Sequence, residues 1–332
     1  MAMMEIMVLG KLTTQDMVSD KIIGVTGSSG FIGGAVCIGL KRKGFNVVAL
    51  DLVKRRYLIP HIDKFFLQDF NQIPLRDSLS WFDCDAIVHC AGTSLVGPSI
   101  CNPINYYNNN VAKTINLLDW CVRYKKHFIF SSSASVYKSS NIPLKEEDQL
   151  APLSPYARSK LMVETVVSDF VASHGLKATI FRYFNACGSF GDLHGQMPGS
   201  SHIFPRLFED KEFTLFGEDF ATPDGTCIRD YVHVIDIVNA HIKAIENSVY
   251  GIYNLGSGTG YSNRQIINAM GVKTWKKGAR RIGDSDCLIA DNSLAKSELG
   301  WSPTLTLENI IEDLKLWYGS KTYSGLLAHP AL

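Results

Sequence analysis

The chain has 332 residues, 46% of them hydrophobic and 20% charged, and a formal net charge of +1. That length allows a large core, and the near-neutral balance excludes the electrostatics of general nucleic-acid or membrane-surface binding. No apolar run reaches the length of a transmembrane helix. Residues 1–20 carry Glu5, Asp16 and Asp20 where a signal peptide has a basic start and an apolar core, so they read as a leader.

The run Ile22-Ile23-Gly24-Val25-Thr26 is a short strand that leads into Gly27, Gly30 and Gly33. Gly27 makes a tight turn, Gly30 lets the backbone approach a bound group, and Gly33 lets the following helix pack close to the strand. Amides at the helix start then face a pyrophosphate. Ala35 to Lys43 reads as the helix, with Gly44 as its stop. Asn46 to Leu50 is the next strand and ends at Asp51, where a dinucleotide-binding unit places an acid for ribose hydroxyls; this favours NAD over NADP. Arg55 and Arg56 follow, a basic pair that could accept a 2′-phosphate or stand in a solvated loop.

Phe65-Phe66-Leu67 reads as a strand leading to Asp69, and Ala86 to Cys90 as a buried strand running into Ala91-Gly92-Thr93. Asn105 to Tyr124 is predicted helical, with Asn108, Asn109 and Asn110 suggesting a side-chain brace to the backbone. His127 to Phe130 is a strand ending in Ser131-Ser132-Ser133, Pro155 to His174 a long helix, and Lys177 to Phe181 another strand. Strands alternate with helices and no hairpin signal intervenes, which calls for a doubly wound parallel sheet of the Rossmann type in an α/β chain. Beyond Tyr183 the pattern breaks into Gly, Pro and polar residues with short apolar pieces such as Phe213 to Phe216. Val232 to Asn247 returns to helix, Gly251 to Leu255 to strand, and Thr306 to Tyr318 to an amphipathic helix with Thr306 as N-cap. The expected division is a dinucleotide-binding domain over 21–184 plus about 234–271, and a smaller α/β substrate-binding lobe over about 185–233 plus 272–332.

Tyr156 and Lys160 form the only Tyr-x-x-x-Lys in the chain and share a helix face. A nearby cation favours the phenolate, and a phenolate can act as base toward an alcohol. Ser133 and Ser135 offer hydroxyls at the carboxyl end of the preceding strand. The eight cysteines show no Cys-x-x-Cys spacing and read as reduced thiols of a cytoplasmic protein. His194 and His202 flank one loop without an evident third ligand, so no metal site is expected.

Together, the glycine turn, Asp51, Asp69, Ala91-Gly92, Asn109-Asn110-Val111, Phe130 to Tyr137, Tyr156 with Lys160, and Arg182-Tyr183-Phe184-Asn185 resemble the extended short-chain dehydrogenase/reductase superfamily. Asp224-Gly225-Thr226, Arg229 to His233, Asn254-Leu255-Gly256, Arg281 with Asp284, and Leu299-Gly300-Trp301 extend the match, which covers Lys21 to about Tyr318 and is closest to the UDP-glucose (UDP-galactose) 4-epimerase family. The resemblance implies NAD-dependent epimerisation at C4 of a nucleotide sugar through a 4-keto intermediate. It implies Tyr156, Lys160 and Ser133 as catalytic. It implies cofactor contacts from Gly27, Gly30, Phe31, Ile32, Gly33, Asp51, Asp69, Ala91, Gly92, Asn109, Tyr183 and Phe184, besides Tyr156 and Lys160. Ser133, Ser135, Asn185, His202, Arg229, Arg281, Asp284 and Leu288 would hold the UDP-sugar, Leu288 as the wall of the sugar pocket. A homodimer through helices that include Asn105 to Tyr124 and Pro155 to His174 is expected on the same ground. The alternatives are a UDP-pentose, UDP-uronate or UDP-N-acetylhexosamine 4-epimerase, an NAD(P)-dependent nucleotide-sugar reductase, and a non-catalytic NAD-binding regulator. Ala134-Ser135 stands where sugar dehydratases of the superfamily carry an acid, which argues against a dehydratase.

Overall fold

The computed structural model describes residues 19–72, 81 and 83–328, so nearly all of the expected leader lies outside the described residues. Six strands come first: β1 (Ile22–Thr26), β2 (Asn46–Asp51), β3 (Lys64–Leu67), β4 (Ala86–His89), β5 (His127–Ser133) and β6 (Ala178–Tyr183). The helices α1 (Phe31–Arg42), α2 (Lys113–Arg123) and α3 (Pro155–His174) lie between them. β7 (Asn185–Cys187), β8 (Thr214–Phe216) and β9 (Ile228–His233) follow, then α4 (Val234–Asn247) and β10 (Gly251–Leu255). The chain ends with β11 (Gly260–Ser262), β12 (Lys276–Gly278), β13 (Cys287–Leu288) and α5 (Leu307–Tyr318), besides several shorter helices.

β10-β6-β5-β4-β1-β2-β3 form one seven-stranded sheet in that order, and every pairing in it is parallel. Successive residues of one strand enter opposite cores. Val47, Ala49 and Val88 pack in one cluster, and Val48, Leu50 and Ile87 in the other. Both faces are covered, which is why these strands read as continuous apolar runs. Strand order reverses between β1 and β4, so a crevice opens outside their carboxyl ends.

The Rossmann-type sheet predicted from sequence is the one observed, but two helices differ. The stretch expected to be helical from Asn105 to Tyr124 is a short helix at Pro103–Tyr106, a π-helical stretch at Tyr107–Ala112, and then α2. The widened turn turns Asn110 inward, as shown below. The helix expected from Val232 starts two residues later, because β9 continues to His233, whose Nδ1 accepts from Ile235 N at 3.1 Å and caps α4.

The smaller lobe centres on β9, flanked by β7 and β13 in parallel and by β11 in antiparallel pairing. β8 and β12 pair separately. The predicted Thr306 cap is present as a capping box with Asn309, and α5 buries Ile310, Ile311 and Leu314 in a cluster with Phe204, Tyr231 and Ile266. Asp230, fully buried on β9, accepts from the amides of Ser257 at 2.6 Å, Gly258 at 2.9 Å and Ala290 at 3.1 Å. One carboxylate thus ties β9 to the turns after β10 and β13. Its neighbour Arg229 forms no ion pair with it and bonds the carbonyls of Ile228 and Ser285 instead.

Candidate active site

The glycine turn joins β1 to α1. Gly27 has φ +69°, and a Cβ there would lie 2.5 Å from the Ala91 nitrogen. A Cβ on Gly33 would lie 2.1 Å from the Gly27 carbonyl oxygen, so the helix approaches the turn only because that atom is missing. α1 has no side-chain cap and no acid in its first turn. Its leading amides, those of Phe31 and Ile32 among them, are left to meet an anion. The Ser28 hydroxyl is buried in the same turn with no hydrogen-bond partner, a group that a bound ligand would satisfy. Asp51 accepts from Ser29 N and Val53 N, each at 3.0 Å, which fixes its carboxylate at the rim of the turn. Arg55 donates through Nε to the Ser29 carbonyl at 3.1 Å. Asp69 pairs with Lys113 of α2 at 2.5 Å, a partner the sequence reading did not name. A tight turn, an uncapped helix start, an orphan hydroxyl and an acid at the next strand end fit a dinucleotide.

β5 runs past the end of β4, which stops opposite Phe130, and ends at Ser133 beside Tyr183 of β6. The Ser133 hydroxyl accepts from Ser135 N at 3.2 Å and from Ser135 Oγ at 2.9 Å, so its own O–H is left to donate toward the Tyr156 phenol that faces it. Tyr156 and Lys160 lie one turn apart on α3, whose start is capped by Ser154 Oγ accepting from Ala157 N at 3.1 Å. Lys160 is buried, and its Nζ donates to the Ser131 carbonyl at 2.7 Å. Burial pulls its ammonium down to about 8, against the opposing charges of Cys90 and Glu164. The phenol moves the other way: burial pushes Tyr156 up, the Ser133 hydrogen bond pulls it down, and Tyr106 adds to the rise. The expectation that Lys160 lowers this phenol is corrected. The ammonium sits on the Ser131 carbonyl, 6.0 Å from the Tyr156 ring centroid, and desolvation wins.

Asn110 supplies the brace expected of the three asparagines. Its carboxamide accepts from Thr93 N at 2.8 Å and donates to Thr93 O at 2.9 Å and Ser159 Oγ at 2.9 Å. The Ala91-Gly92-Thr93 turn is thereby fastened to α3. Neighbouring Asn109 donates to Thr93 Oγ1 at 3.3 Å. His89, fully inside, bonds Thr26 at 2.7 Å and Thr114 at 3.0 Å, and burial drives its imidazole down to about 3. This neutral histidine locks the ends of β1 and β4 and was missed from sequence, where it looked like one more apolar-strand residue. The Tyr183 hydroxyl lies 3.0 Å from Ser131 Oγ of β5 and 2.9 Å from His241 Nε2 of α4, so it links the sheet to that helix. Phe184 stacks on Tyr137 and shares a small core with Ala134 and Leu288.

In the smaller lobe Arg281 lies 4.0 Å over the Phe216 ring. With Arg206, Phe213, Asn263 and Asp284 they line a cleft open to solvent. Arginines suit a diphosphate, an acid suits ribose hydroxyls, and an aromatic face suits a flat base. Of the predicted residues, Arg281 and Asp284 come together here, and His202 precedes the helix Ile203–Glu209 at the same wall. Arg229 does not line the cleft. Its guanidinium donates to Ile228 O at 2.8 Å and Ser285 O at 2.7 Å, holding the turn after Asp284. Asn185 stands on β7, paired with Tyr231, and Leu288 on β13, paired with Arg229. Phe216 and Arg206 were missed; the only signal was an aromatic-bounded apolar piece in a polar stretch. Among the described residues no three His, Cys, Asp or Glu gather as a metal site.

The family model described as NAD dependent epimerase/dehydratase family matches residues 23–256. The chain belongs to this family. A curated UDP-glucose 4-epimerase of Corynebacterium glutamicum is 34% identical over 308 residues, 87% of this chain and 93% of its own. The solved UDP-glucose 4-epimerase of Bifidobacterium longum, in complex with NAD+ and UDP, has a TM-score of 0.82 at 31% identity, with 91% of this chain and 99% of that one covered. The UDP-N-acetylglucosamine 4-epimerase of Methanobrevibacter ruminantium, in complex with UDP-N-acetylmuramic acid, is a more distant family relative, with a TM-score of 0.75, 26% identity, and 90% and 98% covered.

Proposed function

We propose that the protein interconverts the C4 epimers of a UDP-sugar, UDP-glucose and UDP-galactose first among them, through a 4-keto sugar and with NAD retained between turnovers. The observation that carries this reading is the convergence of Tyr156, Lys160 and Ser133 at the carboxyl end of β5, where it pairs with β6. Gly27, Gly30, Phe31, Ile32 and Gly33 would hold the pyrophosphate of NAD and Asp51 the adenosine ribose. Asp69, Ala91, Gly92, Asn109, Lys160, Tyr183 and Phe184 would contact the remainder. Bound NAD supplies a hydride acceptor that gives back what it takes, and a positive charge near the phenol. Tyr156 takes the proton of the sugar 4-hydroxyl and returns it when the keto sugar has turned its other face. Ser133 donates to the reacting oxygen, and Lys160, held on the Ser131 carbonyl, keeps a cation beside it. Arg281 and Asp284 anchor the nucleotide, so that the sugar can turn while the diphosphate stays. Ala134, buried beside Ser133, leaves no acid to expel water, which keeps a dehydratase behind.

Three organisational readings accompany this one. β11 pairs with β9, and Ile266 packs with Phe204 and Tyr231, so we place the residues after Leu255 with the smaller lobe, earlier than the boundary at 271 drawn from sequence. Ile104, 66% exposed, and Met162 and Val171, both 43% exposed, leave apolar surface on and before α2 and α3, which supports a homodimer through these helices. All eight cysteines are free thiols, as a cytoplasmic protein would keep them, and among the described residues no helix is long and apolar enough to cross a membrane.

Leu288 sets the expected sugar. It is buried against Ala134 and Phe184, and a packed wall resists even one added methylene. With UDP-galactose and UDP-N-acetylgalactosamine in one tube and no added nucleotide, the plain hexose is converted faster. Leu288→Ser shifts the ratio toward the larger sugar. A preference for the N-acetyl sugar in the wild type overturns the wall, and conversion of neither overturns the epimerase reading. A reductase would instead consume added NAD(P)H stoichiometrically, visible by absorbance.

A further inference from the structure

Three residues of α3 spaced by four, Tyr156, Lys160 and Glu164, face three consecutive serines of β5. The Ser133 hydroxyl faces the Tyr156 phenol, the Ser131 carbonyl accepts from Lys160 at 2.7 Å, and the Ser132 hydroxyl donates to Glu164 Oε1. Tyr156 and Lys160 have chemical roles in the reaction; Glu164 has none there. Its carboxylate is buried and accepts from Arg182 of β6 through Nε at 3.1 and 3.2 Å and through Nη2 at 2.7 Å. Arg182 is the register partner of Ser132 in the sheet. Its other arm donates to the Tyr137 hydroxyl at 2.7 Å and to the Glu146 carbonyl at 2.8 Å, and Tyr137 closes the turn that carries Ser133 and Ser135. One ion pair therefore grips the helix from below and the serine turn from behind.

We propose that Glu164, with Arg182, is a positioning residue for the reaction: it sets the register of the helix bearing Tyr156 and Lys160 on the serine turn. This rests on the epimerase reading of the site. A buried ion pair is a poor stability device, since well-packed apolar residues often replace one without loss. Its geometry, with both carboxylate oxygens and both sides of the turn engaged, suits alignment instead. A consequence follows for charge. Lys160 is faced by His89 at the end of β4 and Cys90 just after it, by the Phe130 ring and Ser131 carbonyl from β5, and by Tyr156 and Glu164 on its own helix. The Glu164 carboxylate is one of the two charges that raise the ammonium against burial. Neutralising it lets Lys160 lose its proton at lower pH.

The test is the pH profile of kcat for UDP-galactose, measured on the NAD-loaded wild type, Glu164→Gln and Glu164→Asp. Glu164→Gln is expected to lose about 10-fold or more in kcat through misalignment, with KM within about twofold and the alkaline limb moved to lower pH. Glu164→Asp restores the limb, because the charge returns, but not the full kcat, because the reach is shorter. A Gln variant with wild-type kcat and limb overturns the proposal, and so does one that loses kcat with its limb in place. Should the Gln variant not fold, Glu164→Leu with Arg182→Met removes both charges together. It is expected to fold and to show the same loss and displaced limb, and wild-type kinetics there would also overturn the proposal. A wild type inactive on every UDP-sugar would instead sink the epimerase reading, which separates the two failures.

Discussion

Tyr156→Phe lowers the turnover of UDP-galactose by at least ~10²-fold, the contribution of a positioned general base, while NAD stays bound. The substitution removes the hydroxyl and keeps the ring, whose edge-on contact with Tyr106 at 6.4 Å is independent of the oxygen. Both kcat and the NAD released on denaturation are measured. Lost cofactor would mean that the phenol holds NAD rather than moving a proton. Near-normal turnover would mean that another group takes the proton.

Lys160→Met has two expected effects of different origin. Turnover falls by ~10² to 10³, the usual loss when a preorganised charge is removed from a dry site. Stability changes in a way that depends on pH. The ammonium drops from its ordinary 10.5 to about 8 in the folded protein, so the charged form costs about 3 kcal/mol of stability. A lowered folded value for a base means this cost is fully present below about pH 8 and is relieved as pH rises toward 10.5. Methionine never carries it, although its side chain leaves the Ser131 carbonyl short of a donor at about 1–3 kcal/mol. Thermal unfolding of both proteins across this range should show the wild type gaining on the variant as pH rises. A constant gap would mean that Lys160 is not desolvated as its burial implies.

Much of the larger sheet was legible in the sequence, for a physical reason. Strands buried on both faces read as apolar runs, such as Ala86, Ile87 and Val88 of β4, and the glycines after β1 mark the one turn that a following side chain would block. That Tyr156 and Lys160 share one face was legible because a helix places residues four apart side by side. Other features depend on distant partners. The π-helical stretch at Tyr107–Ala112 arises because Asn110 must reach Thr93 and Ser159, and local propensity carries no trace of that. The strands of the smaller lobe have two or three residues outside β9, too few to show alternation. Phe216 gained its meaning only when Arg281 was folded over it. Glu164 looked like an ordinary helix acid until the register of β5 and β6 set Ser132 and Arg182 against it. The direction of the Tyr156 shift failed for a related reason: helical spacing says that Lys160 is near, but not that a carbonyl holds its ammonium or how dry the corner is.

In an epimerisation by oxidation and reduction within one site, the hydrogen at C4 leaves the sugar and returns to it without meeting solvent. UDP-galactose carrying deuterium at C4 tests this directly, incubated with the protein in ordinary water and no added nucleotide until UDP-glucose accumulates. The expected product is UDP-glucose that retains deuterium at C4. UDP-glucose with protium at C4 would contradict it, because the inversion would then pass through proton exchange with water instead of oxidation and reduction within one site.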